Sequence, residues 1–275
     1  MGYVKSNTSK QSELHHLLQN PATGNPLIPE DGRLRDRGTG ASFRIRNGIP
    51  VILLPKDVFG WNKKQQRSYD CGSYLYDLIY RFHRTKANQW LEEIADLMRV
   101  QSGDYVLETS VGTGQQIRNL QQHGINAHFF GNDISFGMLR QCQKNMKRWK
   151  LDIGLVQGNA EALPFVDQLF DVVFHVGGFN FFNDKERAIN EMIRVAKPGA
   201  RIYLVDETAD ILPNLPLFSR FIPDPASGVY EPPIDLIPRT MSNIQSHDLL
   251  EGMFWLVGFE KPGSDRELRR RSLTE

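Results

Sequence analysis

From Gly103 onward, short apolar runs alternate with stretches of helical spacing, and no other feature of the chain limits its fold as strongly. In order these are Tyr105–Ser110, Thr113–His123, Ala127–Asp133, Ser135–Trp149, Leu151–Gln157, Asp171–Val176, Asp184–Ala196 and Arg201–Asp206. Apolar runs this short read as strands buried on both faces, and the amphipathic stretches between them read as crossover helices. The rhythm therefore predicts an α/β fold with a mostly parallel sheet and helices on both faces. A last apolar run, Met253–Phe259, closes the sheet.

The flanks differ in character. Residues 1–14 are polar and uncapped and read as a flexible tail. Residues 15–58 form a small module with turn signals at Pro21, Gly24, Asp31–Gly32 and Gly38–Gly40, ending in the apolar strand Ile49–Leu54. Residues 59–100 are a helical lead-in, with Tyr74, Leu78, Ile79 and Phe82 on one face and Trp90, Ile94 and Met98 on a second helix. The main domain spans 101–262. Its insert 208–240 holds seven prolines between Pro213 and Pro238 and large apolar groups such as Leu215, Phe218 and Tyr230, and reads as a lid over a pocket. Residues 263–275 are a basic tail with Arg266, Arg269, Arg270 and Arg271.

Composition narrows the class. Of the 275 residues 40% are hydrophobic and 24% charged, and no apolar run of about 18 residues is present, so membrane insertion is not expected. The two cysteines, Cys71 and Cys142, make neither a disulfide framework nor a four-cysteine zinc site, which points to the cytoplasm. The net charge of +1 hides an asymmetry, because residues 1–67 carry eleven Lys and Arg against five acids. Such a module either faces an anion, RNA included, or is an ordinary solvated surface.

Four segments carry chemistry. The strand Tyr105–Leu107 runs into Glu108-Thr109-Ser110-Val111-Gly112-Thr113-Gly114, a sharp turn at the carboxyl end of a strand, where open α/β sheets bind ligands. Gly112 and Gly114 let the backbone approach a nucleotide-like cofactor closely. Asp133 ends the next strand, where a carboxylate can take both hydroxyls of a ribose; capping of the following helix is the structural alternative. At this point a nicotinamide-dependent dehydrogenase fits equally well, although Ile117 stands where a dinucleotide fingerprint has its third glycine. The remaining segments are Gly158–Phe165 and Ala196–Glu207.

Taken together, VLETSVGTG (106–114), GNDIS…ML (131–139), GNAEALPF (158–165), FDVVFHV (170–176) and AKPGARIYLVDE (196–207) resemble the motif set of class I S-adenosylmethionine-dependent methyltransferases, closest in style to the ubiquinone/menaquinone C-methyltransferases. The resemblance covers roughly 69–261 and implies a Rossmann-like sheet whose last strand is antiparallel. It also implies S-adenosylmethionine as cofactor, with S-adenosylhomocysteine as product. Gly112 and Gly114 would face the methionine portion and Glu108 its ammonium. Asp133 would hold the ribose and Ile134 the adenine face. Asn159 would bond the adenine amino group, the Ala160 backbone would read the ring edge, and His175 or Val176 would lie beside the methionine portion. Ser110 and Asn159 depart from the pattern, which usually has glycine and aspartate there.

Methyl transfer needs in-line placement and exclusion of water. Where the acceptor also needs a general base, His175 leads, with packing in the cleft wall as its alternative. Tyr76, Phe179, Asn180, Phe218 and His247 are the candidate acceptor-pocket residues. Residues 16–55 further resemble small zinc-ribbon domains, but Asn20 and Thr23 stand where the first cysteine pair would be, so no metal is expected. The preferred reading is methylation of a small-molecule acceptor at oxygen, nitrogen or activated carbon. An rRNA or tRNA base methyltransferase and a non-methylating cofactor-binding scaffold or partner subunit are the alternatives.

Overall fold

The structure is a computed structural model, and it describes residues 9–70, 84–209 and 230–263, with side chains from residue 90 in the second stretch. The amino-terminal part opens with a short helix, α1 (Lys10–Leu14), followed by four strands in an antiparallel meander: β1 (Ile28–Glu30), β2 (Arg33–Arg35), β3 (Ser42–Arg46) and β4 (Ile49–Pro50). Residues 60–70 are helical, as is α2 (Arg84–Leu97). Beyond them lie β5 (Tyr105–Thr109), α3 (Gln115–Gln122), β6 (His128–Asp133), α4 (Phe136–Trp149), β7 (Gly154–Gln157), β8 (Phe170–Val176), α5 (Lys185–Val195), β9 (Ala196–Glu207), β10 (Ser242–Leu249) and β11 (Phe254–Glu260). The large sheet has seven strands in the order β10-β11-β9-β8-β5-β6-β7. Strands β5 to β9 are parallel, and β11 is antiparallel to both its neighbours. The doubly covered α/β sheet with its last strand reversed is thus observed.

Alternation along the strands sorts the core into two layers. Leu107, Phe130, Val173 and Leu204 face one side and Val106, Phe129, Phe174 and Val205 the other. On the second side Ile94 of α2 and Met98 just beyond it, Ile117 and Leu120 of α3 and Leu139 and Met146 of α4 complete the packing. On the first side α5 contributes Ala188, Ile189 and Met192, and the rest of the cover comes from Leu14, Leu18, Leu27, Leu34, Phe43 and Ile52 of the amino-terminal part. The module is therefore not a satellite with a core of its own; it shares the core of the main sheet. Val51 forms a parallel bridge with Gln157, and the Ile52 amide donates to the Gln157 carbonyl at 2.8 Å, so the module also covers the β7 edge.

Residues 10–14 correct the expectation of a mobile tail. Leu14 is fully buried, the Gln11 side chain exchanges two hydrogen bonds with the Leu155 backbone (3.0 and 2.9 Å), and the Lys10 amide donates to Asp152. The sequence shows this helix only as one leucine among polar residues, because its partners are distant in the chain. Strand β10 was not anticipated either. Nearly all its side chains are exposed, so Ser242–Leu249 lacks an apolar alternation, and pairing with β11 alone makes it a strand. Of the insert, Tyr230 and Ile237 pack against the sheet, and the Tyr230 carbonyl accepts from Trp255 Nε1 at 3.0 Å. Residues 210–229 of the expected lid and the basic tail from 264 lie outside the described residues. No helix among the described residues is long and apolar enough to cross a membrane.

At the turn expected to resemble a zinc ribbon, Asn20, Thr23, Asn25 and Thr39 all donate side-chain hydrogen bonds to the buried Asp36 carboxylate, at 2.7 to 3.0 Å. The backbone amides of Gly38 and Thr39 add two more. N–H and O–H donors converging on a carboxylate are the reverse of a metal-ligand set, so these residues do not fit a metal. Burial disfavours the charge of Asp36, yet the donors outweigh it and hold its carboxyl far below the usual carboxylate range. Asp36→Asn is expected to lower the melting temperature at pH 7. The difference should shrink as pH falls below about 4, where the carboxylate in the unfolded chain becomes protonated and the stabilisation from the depressed pKa begins to be lost. Thermal melts of both proteins across pH 3–8 check this.

Candidate functional site

The carboxyl ends of β5, β6, β8 and β9 open on one cleft. Ser110 and Gly112 line it from the β5 turn, Asp133 and Ile134 from β6, Val176 to Gly178 from β8, and Glu207 from β9. Phe181 and Phe182 form an aromatic wall, and Asn62, Gln65 and Tyr69 of the helical stretch 60–70 close the other side. That stretch is tied down by Asn62 Nδ2 donating to Glu161 Oε1 (3.0 Å) and Gln66 Nε2 donating to the Ile134 carbonyl (3.0 Å). Asp70 Oδ1 accepts from Ser135 Oγ at 2.6 Å and from the Gly137 amide at 2.8 Å.

The turn after β5 is tight for reasons that differ residue by residue. Gly112 has φ +53°, and a Cβ there would meet nothing closer than 4.0 Å, so its bare face looks into open space. Gly114 has φ +83°, but its missing Cβ would strike Met146 Cε at 2.2 Å and Cys142 Sγ at 2.9 Å. The side of Gly114 that a Cβ would occupy thus lies against α4, and the residue is not among those that line the cleft. Ser110, in a position the motif usually gives to glycine, adopts φ +62°. An L-residue pays a steric cost in that conformation.

Three carboxyl groups dominate the electrostatics. Asp133 accepts from the Gly112 amide (2.8 Å) and the Ser135 amide (2.8 Å), leaving lone pairs toward the cleft. Burial, and then Asp70, push its pKa up to about 6 against those amide bonds. Glu108 is buried with Oε2 lacking a hydrogen-bond partner, and burial, then Asp133, hold it well above the usual carboxyl range. An orphaned carboxyl oxygen beside a second acid suits a cationic ligand group, which would supply the missing partner. Glu207 forms the third, on the aromatic side.

The remaining candidates separate. Asn159 and Ala160 are buried and do not line the cleft. Asn159 Nδ2 donates to the Asp57 carbonyl (2.9 Å) and Oδ1, the oxygen expected to accept from an adenine amino group, accepts from the Glu161 amide (2.9 Å), so the side chain joins two loops. His175 is fully buried, with Thr109 Oγ1 3.1 Å from Nδ1 and the rings of Phe179 and Phe182 against it. Burial lowers its pKa to about 3, so the ring is neutral and walled in, and the structure does not place it as the base. Phe179 and Asn180 are buried too, because Gly177 and Gly178 (φ +75° and +97°) turn the chain inward before Phe181 and Phe182 emerge at the cleft. His247 lies on β10 in a separate depression with Arg99 and Tyr203. Tyr76 and Phe218 lie outside the described residues. Asn62, Gln65 and Tyr69 went unnoticed in the sequence because they belong to a helix that reaches the cleft only by tertiary docking; their one signal was the helical spacing of the lead-in.

Residues 107–204 match the family described as methyltransferase domain. Those residues run from β5 into β9, so the stretch that matches a methyltransferase domain is the central sheet. A demethylmenaquinone methyltransferase of Listeria welshimeri is 35% identical over 130 residues, covering 46% of this chain and 54% of that protein. The ubiquinone/menaquinone biosynthesis C-methyltransferase UbiE of Pasteurella multocida is 31% identical over 163 residues, covering 56% of this chain and 55% of its own length. The chain thus spans about half the length of these curated relatives. A solved Thermotoga maritima structure, a SAM-dependent methyltransferase described as a possible histamine N-methyltransferase, superposes on the methyltransferase domain and its surroundings with a TM-score of 0.55. At 18% identity, over 71% of this chain and 99% of that one, it is a likeness of fold.

Ser110→Gly in the methyltransferase domain is expected to stabilise the protein by about 0.5–1 kcal/mol, the relief of left-handed strain less the added freedom of glycine when unfolded. Urea unfolding at constant m-value checks it.

Proposed function

We propose that this protein transfers a methyl group from S-adenosylmethionine to a small flat acceptor of the quinol type. The observation that carries the reading is the buried, orphaned Glu108 carboxyl oxygen behind Asp133, which lines the cleft together with the open face of Gly112. When bound, S-adenosylmethionine supplies an electrophilic methyl on a sulfonium. Glu108 receives the ammonium of its methionine portion, directly or through water, and becomes ionised beside that cation. Asp133 accepts the ribose hydroxyls on its cleft-facing lone pairs, with Ile134 against the adenine and Val176 beside the methionine portion. Asn159 and Ala160 hold the turn that backs the adenine end. The acceptor lies against Phe181 and Phe182, whose rings suit a flat apolar body. The helical stretch 60–70 keeps water from the reacting atoms, so that placement lowers the barrier. The quinol class is taken from the names of the relatives from Listeria and Pasteurella and agrees with the aromatic wall.

Two outcomes are expected. Asp133→Asn should weaken S-adenosylhomocysteine binding about ten- to a hundredfold at pH 8 in calorimetry, the scale of hydrogen bonds to a charged group. The wild-type affinity should fall more steeply between pH 8 and pH 5 than that of the variant, as Asp133 takes up its proton near pH 6. Anaerobic incubation with S-adenosylmethionine and a demethylated 1,4-naphthohydroquinone should form S-adenosylhomocysteine and a product heavier by one methylene, read by mass spectrometry. Binding of S-adenosylhomocysteine with no turnover on a panel of quinols would overturn the acceptor class.

A further inference from the structure

The proposed methylation leaves two neighbouring acids without a task. Asp206 and Glu207 end β9, on the side of the cleft away from Glu108. The Asp206 carboxylate is fully buried and accepts from the amides of Asn180 (2.6 Å), Gly178 (3.1 Å) and Glu207 (2.9 Å). The Asn180 and Gly178 amides belong to the turn that brings Phe181 and Phe182 to the cleft, so this carboxylate ties the aromatic wall to β9. Lys185 of α5 adds positive charge on the same side. The Glu207 carboxyl hydrogen-bonds the Asp206 side chain, and two carboxyl groups in such contact must share a proton. With three amides already on Asp206, the charge rests there and the proton rests on Glu207. Burial, the neighbouring charge and this hydrogen bond all hold Glu207 well above the usual carboxyl range. Its hydroxyl is turned to Asp206, while Glu207 itself lines the cleft beside Gly178 and the two phenylalanines. What it offers a ligand is a carbonyl-type oxygen backed by a buried anion. His175, neutral and enclosed, offers nothing comparable.

We propose that Glu207 and Asp206 form a proton-accepting dyad that binds and deprotonates a hydroxyl of the acceptor. This rests on the methyltransferase reading and assigns its base. The acceptor O–H donates to the free Glu207 oxygen. That O–H bond breaks as a new Glu207 O–H forms, and the proton already on Glu207 passes to Asp206. The acceptor is left as an oxyanion and the dyad holds two protons with no charge. The oxyanion, or the ring carbon it activates, supplies the electron pair for the new bond to methyl. The sulfonium keeps the pair of its broken S–CH3 bond and becomes a neutral thioether. A carbon-methylated ring regains aromaticity by tautomerisation, and the dyad returns one proton to water. Glu207 touches the acceptor; Asp206 acts through it.

The test reads ionisation directly and needs no turnover. 4-Nitrophenol is titrated into the full chain at a pH about one unit below the probe's own pKa, with S-adenosylhomocysteine present and absent. The wild type should bind it with the absorbance of the phenolate. Glu207→Gln keeps an N–H toward Asp206 and an oxygen toward the cleft but cannot relay a proton. It should bind the probe within about threefold of wild type, yet show the unionised phenol. Infrared spectra should show a protonated-carboxyl band in the wild type that Glu207→Gln removes. Unchanged S-adenosylhomocysteine affinity shows that the variant is folded. The dyad is overturned if the wild type binds the probe as phenol or not at all, if Glu207→Gln still yields phenolate, or if no protonated-carboxyl band is lost. A wild type that ionises the probe but binds no S-adenosylhomocysteine would uphold the dyad and sink the cofactor reading, so the two failures are distinct.

Discussion

A parallel sheet has to be covered on both faces, since its strands are apolar on both and its crossovers lie over them. The rest of this structure depends on how that requirement is met. One face is closed by three helices in the usual manner. Among the described residues the other is covered by α5 and by the amino-terminal module, with Leu14, Leu18, Leu34 and Phe43 in the same apolar layer as Phe130, Phe165 and Phe170. The module is thus bound to the domain by the hydrophobic effect and by the Val51 and Ile52 pairing along β7. Its internal order comes from a different source, the Asp36 carboxylate and its ring of donors.

That cover has a consequence for the cleft. The chain leaving the module passes Asp57, whose carbonyl holds the Asn159 amide, and continues into the helical stretch 60–70, which closes the cleft. Glu161 Oε1 takes hydrogen bonds from Asn62 Nδ2 and from the amides of Asn183 and Asp184, so one buried carboxylate joins the closing helix, the β7 turn and the start of α5. Buried acids recur as organisers here. Asp36 orders the module, Glu161 the joint, Asp133 the β5 turn and Asp206 the aromatic wall, each by collecting amide or hydroxyl donors. Glu108 stands apart, because one of its oxygens collects none.

Legibility followed the range of the interactions involved. Strand and helix order from Gly103 could be read because period and length are local. Asp133 at a strand end and Gly112 at the β5 turn could be read because the motif places them by spacing. A glycine packed against a helix, such as Gly114, and one with an open face, such as Gly112, look alike in one dimension. Asn159 and His175 were assigned roles that their neighbours, Asp57 and Phe179, had already taken up. Phe179 and Phe182 cannot be told apart by type; two left-handed glycines decide which ring is core and which is wall.

By itself the sequence determined the α/β architecture, the edge of the sheet at which ligands gather and the methyltransferase motif series, because all three follow from local periodicity and fixed spacing. Only the tertiary structure decided that residues 10–14 and the module are part of one core, that the helix 60–70 closes the cleft, and that Asp206 takes up the amides of the turn bearing the aromatic wall. Those outcomes depend on contacts between residues far apart in the chain, and on the competition of each polar group for partners that no local pattern displays.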